Sequence, residues 1–321
     1  MNWKISVFII LAILFVACQQ SPTNDSEVSD DPVIAEARSY ANPSLLIEAE
    51  ELAELKIDET IKLIDFRKPT DYNSGHINGA INLWRPDIVD ESFPYGGMVA
   101  PKNKIEQIFT DKGINSGDLL IMYDDKGACE AARLWWILQY YGYNNFKILN
   151  GGIDAWIDMK GVLSTDPSNH SIGTFQFNEE GNVASIITKE EVLNHLKPSS
   201  NIAIIDTRST VEYSGKEKKN GAAKAGRIPN SVQIDWAEAI DYNGTKKFKS
   251  VKDLEHIYGR LQKSKTDTLI AYCHSGVRSA HTAFVLTQLL GYQNVRNYDG
   301  SWTEWSHFDE LPYELDSVTK D

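Results

Sequence analysis

Cys273 is the residue with the most chemistry to offer. It stands in "LIAYCHSGVRSAHTAFVLTQLLGY", Leu269 to Tyr292, at the end of an apolar run. A small loop containing Gly276 follows, then Arg278, then a stretch with helical patterning. If Leu269–Tyr272 is a buried strand, it delivers Cys273 to the carboxyl edge of a sheet, where open α/β sheets bind their ligands. His274, Ser275, Gly276, Val277, Arg278 and Ser279 then lead into a helix expected near Ala280. A helix start presents unpaired N–H groups and the positive end of a dipole. A thiol placed there has a depressed pKa, and the thiolate is the nucleophilic form. Gly276 lets the loop curl so that several N–H groups converge on one point. Arg278 adds a fixed cation at the far end of the loop. The sum is an anion cradle with a thiolate at its base. The alternatives are a buried structural thiol at a strand end, or a disulfide to Cys129.

The elements that must position this loop occur twice. "LIMYDDKGACEAARLWWILQYYGYNNFKILNGGIDAW" (Leu120–Trp156) lies over "LIAYCHSGVRSAHTAFVLTQLLGYQNVRNYDGSWTEW" (Leu269–Trp305) without a gap, at a constant offset of 149 residues. Upstream, "KLIDFRKPTDYNSGHINGAINL" lies over "AIIDTRSTVEYSG…GRIPNSVQI", where the second copy carries the insertion "KEKKNGAAKA". A period this long means two homologous domains in tandem, not a solenoid. The expected domains are 39–164 and 183–321, joined by a polar connector over 165–182. In each copy short apolar runs alternate with helical patterns. Leu63–Asp65, Leu119–Tyr123, Phe146–Leu149, Ile202–Asp206, Leu269–Tyr272 and Asn294–Tyr298 read as buried strands. Ala131–Tyr141 and Ala280–Leu290 read as helices, and Thr188 with Glu191 as a capping box. This alternation predicts an α/β fold, mostly parallel sheets with helices on both faces.

The N-terminus sets a location. "MNWKISVFIILAILFVAC" has Lys4, an apolar run from Ile5 to Ala17, then Cys18. This is a secretory signal, and the run is short for a transmembrane helix. It resembles a bacterial lipoprotein signal, in which the cysteine is lipidated. Residues 1–18 are therefore expected to be a signal peptide ending at a lipidated Cys18. Residues 19–38 are polar and acidic, and are expected to be a disordered tether. The protein is expected to be exported and lipid-anchored to a cell-envelope membrane. Its net charge of −13, with no basic stripe, argues against nucleic acid as a partner. No metal cluster, P-loop or dinucleotide fingerprint occurs, so no cofactor is implied.

Strand, C-H-S-G-V-R-S and helix, preceded by Asp206-Thr207-Arg208 and "GRIPNSVQI", together resemble the rhodanese family of sulfurtransferases. "NGGIDAW" and "DGSWTEW" are similar to the pattern that closes each domain of that family. The tandem arrangement resembles its two-domain members, the thiosulfate and 3-mercaptopyruvate sulfurtransferases. The resemblance implies two tandem rhodanese-like domains in a monomer, of which the second is catalytic. Asp124 stands in the first repeat where Cys273 stands in the second. The implied chemistry is a persulfide on Cys273, formed from thiosulfate or 3-mercaptopyruvate and discharged to cyanide or a thiol. Arg208 corresponds to a family arginine that binds the anionic donor; a salt bridge to Asp206 or Glu212 is the other reading. Arg227 is a further binding candidate, or a loop-exit residue. Related cysteine phosphatases place five residues between cysteine and arginine, whereas four lie between Cys273 and Arg278, which selects sulfur over a phosphoryl group. The charge of Arg278 favours dianionic thiosulfate over monoanionic mercaptopyruvate. Asp124, Asp125 and Glu130 are expected to repel an anion from the first loop. Cys129 reads as a spare thiol near the interface, and Trp135 and Trp136 as core. A non-catalytic binding scaffold is the alternative of another class.

Overall fold

The apolar runs become strands with the same bounds or nearly so. The first domain contains β1 (Leu46–Ile47), β2 (Ile61–Asp65), β3 (His76–Ile77), β4 (Ile81–Asn82), β5 (Leu119–Tyr123), β6 (Phe146–Leu149) and β7 (Leu163–Ser164). The second contains β8 (Ile186–Ile187), β9 (Ile202–Asp206), β10 (Ser231–Gln233), β11 (Thr268–Tyr272) and β12 (Asn294–Tyr298). This computed structural model describes residues 40–177, 181–197 and 201–316. The signal sequence, Cys18, the acidic tether and part of the connector lie outside the described residues. No helix among the described residues is long and apolar enough to cross a membrane.

Each domain is built on a five-stranded parallel sheet. The orders are β1-β6-β5-β2-β4 and β8-β12-β11-β9-β10, the same topology twice. The central strands β5 and β11 are buried on both faces, which is why they read as continuous apolar runs and not as alternating ones. The edge strands β1, β4, β8 and β10 are two or three residues long, too short to carry a period.

Two helices hold the domains together. They are α1 (Cys129–Tyr140) and α2 (Val277–Phe284), each following the central strand of its sheet. Trp135 of α1 meets Phe284 of α2 edge-on, with ring centroids 5.1 Å apart. Such a pair adds about 0.5–1.5 kcal/mol beyond its area burial. A single apolar cluster runs from Ile64, Met122 and Trp136 in the first domain to Ile205, Leu269 and Phe284 in the second. The outer face of each sheet has a separate core. Trp135 and Trp136 are therefore core residues shared by both domains.

Two expectations are corrected. The helix after Cys273 starts at Val277, three residues before Ala280, because Gly276 adopts φ 75° and serves as its N-cap. It then passes into a π-helical turn at Val285–Leu289, where a regular helix to Leu290 was expected. The connector is also less separate than its polarity implies. Phe175 and Phe177 are buried, and they pack on Phe109, Tyr143 and Tyr141 of the first domain. The capping box is present: Glu191 N–H donates to Thr188 Oγ1 and Thr188 N–H to Glu191 Oε2.

A buried ion pair crosses the interface. Arg133 Nη1 of α1 lies 2.6 Å from Asp299 Oδ1, and neither side chain is more than 2% exposed. Arg133 also donates to the carbonyls of Gly276 and Gly97, and its guanidinium lies over Trp136. Asp299 Oδ2 accepts from the N–H of Val99. Removing one partner strands the other in an apolar interface. Arg133→Met is expected to cost about 3–5 kcal/mol of unfolding free energy, as measured by denaturant titration. The double variant Arg133→Met/Asp299→Asn should recover most of that loss.

Candidate active site

The loop Cys273–Ser279 is fixed at its start and its midpoint by one hydroxyl. Ser301 Oγ accepts from the N–H groups of Cys273 and Gly276, each at 3.1 Å, and donates to Tyr298 O at 2.7 Å. The carbonyls of Cys273 and His274 accept from Trp302 N–H and Thr303 N–H. Of the other loop N–H groups, those of Ser275 and Ser279 act on the Cys273 sulfur. Gly276 is required here twice over. Its φ is left-handed, and a Cβ would lie 2.6 Å from Asp299 O and 2.9 Å from Arg133 Nη1. Ser301 was visible only as part of "DGSWTEW"; its partners lie 25 and 28 residues away, beyond any local pattern.

Cys273 Sγ lies at the base of the cradle, 1% exposed. Ser279 Oγ donates to it at 3.5 Å. Burial pushes the thiol pKa up, but Arg278, the Ser279 hydroxyl and the N–H groups of Ser279 and Ser275 outweigh it, so the net shift is down. The surroundings of the thiol thus favour its thiolate form relative to a free cysteine. Val277 and Ser279 are buried in the first turn of α2.

Arg278 does not stand free. Its Nη1 and Nη2 donate to Glu212 Oε2 and Oε1 at 2.6 and 2.8 Å. Burial pushes the Glu212 carboxyl up, and Arg278 overrides this to hold it at about 2. Glu212, itself bonded by Ser209 Oγ, was a candidate partner of Arg208 and is instead the partner of Arg278. It lies 66 residues from Arg278, on the helix Thr210–Tyr213. The pair cancels much of the net charge that was expected to select a dianion.

Of the two readings of Arg208, donor binding and a salt bridge to Asp206 or Glu212, the geometry shows the salt bridge to Asp206. Arg208 is 2% exposed and donates to Asp206 through Nε at 2.9 Å and Nη2 at 2.6 Å, and to Gly226 O at 2.8 Å. The first domain repeats this arrangement. Arg67 donates to Asp65 at 2.9 and 2.6 Å and to Gly75 O at 2.7 Å. A unit present in the domain without the cysteine serves the fold. Arg227 is likewise committed elsewhere. It pairs with Glu314 and Asp316 and lies 4.4 Å from the Tyr213 ring centroid. His274 donates through Nε2 to Asn220 O at 2.9 Å. Burial, chiefly, lowers its pKa to about 4, so it is uncharged at neutral pH. Asn220 belongs to the "KEKKNGAAKA" insertion, which thus fixes the wall of the pocket.

The first domain roofs the loop. A Cβ on Gly97 would lie 2.5 Å from Ser275 Cβ, so its bare backbone rests against that residue. Gly96 O accepts from Thr303 Oγ1, and Tyr95 Oη donates to Glu304 at 2.9 Å. No sequence signal marked residues 95–99 for this role.

The first-repeat loop has the same cradle with a different occupant. Asp124 Oδ1 accepts from the N–H groups of Lys126 and Ala128, and Oδ2 from those of Glu130 and Ala131, at 2.6–3.0 Å. Burial raises this carboxyl to about 6, against the pull of the Ala131 and Lys126 N–H groups. The expectation of simple repulsion is therefore corrected: this cradle holds an anion, and the anion is its own side chain. Cys129 is buried at the start of α1. Burial, then Glu130 and Asp124, push its pKa well up, so it stays a thiol. Cys129 and Cys273 are both free, not bridged.

The sequence matches the rhodanese-like domain over residues 48–159 and again over 188–308. It is 31% identical to a thiosulfate sulfurtransferase of Corynebacterium glutamicum over 295 residues, 88% of this chain and 94% of that protein. It is 31% identical to the sulfur carrier protein TtuD of Thermus thermophilus over 293 residues, 85% of this chain and 97% of that protein. Its fold is shared with the anaerobic ergothioneine biosynthesis enzyme of Chlorobium limicola, at a TM-score of 0.75 and 23% identity, covering 86% of this chain and 71% of that one. Two matched domains, a shared topology and homologues that move sulfur agree: the chain belongs to the rhodanese family and is a tandem-domain sulfurtransferase.

Proposed function

We propose that this chain is a thiosulfate sulfurtransferase whose catalytic residue is Cys273. The observation that carries the reading is the asymmetry between two like cradles. Only the second has a thiol at its base, with a lowered pKa; the first is filled by Asp124. In the first step the Cys273 thiolate attacks the outer sulfur of thiosulfate. A bond forms between Sγ and that sulfur, the donor's S–S bond breaks, and its electron pair leaves on sulfite. No proton moves, so no general base is needed, which fits an uncharged His274. The outer sulfur of the persulfide anion then lies among the N–H groups of the loop, which stabilise charge away from water. In the second step cyanide or a thiolate attacks the outer sulfur, the persulfide bond breaks, and the Cys273 thiolate is restored. Two half-reactions through a covalent intermediate give ping-pong kinetics.

The thiosulfate assignment is supported by the likeness to the Corynebacterium enzyme. A relative that is a sulfur carrier fits a persulfide handed on to a thiol. One observation favours a second donor. Glu212 neutralises Arg278, which removes the charge preference for a dianion and suits monoanionic 3-mercaptopyruvate. Export and lipid anchoring through Cys18 are proposed on the sequence of residues 1–18 alone.

Purified protein treated with thiosulfate alone should gain the mass of one sulfur atom on Cys273, and Cys273→Ser should gain none. If neither thiosulfate nor 3-mercaptopyruvate modifies Cys273, the scaffold reading replaces this one. Glu212→Gln should leave Arg278 with uncancelled charge. The pH midpoint for alkylation of Cys273 by iodoacetamide should then fall, and the kcat/KM ratio of thiosulfate to 3-mercaptopyruvate should rise by roughly fivefold or more. The full-length protein expressed in a bacterium should partition into detergent, and Cys18→Ser should leave it unlipidated and in the aqueous phase.

A further inference from the structure

Three arginines lie on or beside the Cys273 loop and each is matched by a carboxylate: Arg278 by Glu212, Arg208 by Asp206, and Arg133 by Asp299. A donor that carries a sulfonate or carboxylate needs a cation with a donor group to spare. The first domain supplies one that the sequence did not flag. Arg85 opens the short helix Arg85–Ile88 directly after β4. Its Nε donates to Glu130 Oε2 at 3.0 Å and its Nη2 to Glu130 Oε1. Its Nη1 makes no hydrogen bond among the described residues. Glu130 is 2% exposed, so the fork is anchored from below, while the Arg85 side chain is 37% exposed.

Arg85 lines a cavity of about 460 Å3 together with Trp84, Phe93, Tyr95 and Gly96, and with two acidic residues, Asp90 and Glu91. The next residue, Gly97, rests on Ser275 of the cysteine loop. The cavity therefore abuts the roof of the cradle; most of its lining is apolar, Arg85 is the cation on it, and Asp90 and Glu91 are its acids. Burial pulls the Arg85 pKa down, and Glu130, chiefly, more than offsets it, with the Cys273 sulfur among the smaller contributors. The matching position of the second domain, at the start of Trp236–Ala239, is Trp236, packed on His281. The cation is thus not part of the repeated framework.

We propose that Arg85 binds the anionic, non-transferred end of the sulfur donor, so that the first domain supplies the donor-recognition cation for a reaction on the second. The inference rests on the sulfurtransferase reading above. A planar fork held on one edge by Glu130 presents its other edge for charge-assisted hydrogen bonds to a sulfonate or carboxylate.

The test is steady-state kinetics on Arg85→Met, Arg85→Lys and Glu130→Gln, with thiosulfate and 3-mercaptopyruvate as separate donors and cyanide as acceptor. Arg85→Met is expected to raise the KM of the true donor by roughly tenfold or more, and to weaken inhibition by sulfite or pyruvate, the leaving anion, by a like factor. The kcat at saturating donor and the KM of cyanide should hold, and Arg85→Lys should recover part of the loss. Whichever donor shows the effect identifies the anionic group that is read. Glu130→Gln is expected to lower the donor KM, since the competing carboxylate is gone. If Arg85→Met leaves the KM of both donors unchanged, the proposal is overturned. It is also overturned if Glu130→Gln raises KM as Arg85→Met does, because the ion pair would then matter only as structure. Failure of the wild-type protein to form a persulfide with either donor would instead sink the underlying sulfurtransferase reading.

Discussion

A ring of backbone N–H groups at a helix start cannot be buried empty. Each unpaired buried donor costs free energy comparable to a lost hydrogen bond, and here several converge on one point. Both domains of this chain build that ring in the same place, between the central strand and the helix at the domain interface. Each must therefore put an anion in it. The first domain uses the Asp124 carboxylate, with four N–H groups donating to its two oxygens. The second uses the Cys273 thiolate. A carboxylate fills the ring permanently, whereas a thiolate fills it and can still make a bond. That one exchange divides a structural loop from a reactive one.

The remaining charges follow from holding such anions away from water. A buried cation without a partner is as costly as a buried anion, so the arginines near the loop come with carboxylates. Arg278 is held by Glu212, and Arg208 by Asp206, in a unit that recurs as Arg67 and Asp65. Arg133 and Asp299 extend the same logic across the interface and bind the carbonyl of Gly276, so that closing the domains and shaping the loop are one event. The consequence for specificity is direct. The loop presents hydrogen-bond donors more than net charge. Selection of an anionic donor then falls to groups outside the loop.

How much of this was legible varied with range. Strands β5, β6, β9 and β12 have the bounds that the sequence implied; in β5 and β9 burial on both faces leaves a nearly continuous apolar run. The four edge strands escaped notice because two or three residues carry no period. The start of α2 was placed three residues late, because the N-cap is Gly276 in a left-handed conformation and not a serine or aspartate. Cys273 and its loop were plain from type and spacing. Ser301, the pairing of Glu212 with Arg278 and the 95–99 segment were not, since each reaches the loop from elsewhere along the chain. Arg208 was left with two readings, and the pair with its neighbour Asp206 is the one that the fold displays.

The sequence by itself determined the tandem repeat, the parallel α/β domains, the place of Cys273 at the end of a central strand and the aspartate at the matching place, Asp124. Those are matters of residue type at fixed spacing, and a strand, a glycine turn and a helix carry them locally. Only the tertiary structure decided which arginines remain available, that Asp124 fills its own cradle, and that the first domain roofs the second domain's loop. Charge pairing and burial depend on what meets across 66 to 200 residues of chain, as with Arg278 and Glu212 or Val99 and Asp299. An electrostatic field is summed over neighbours in space, and those neighbours exist only once the chain has folded.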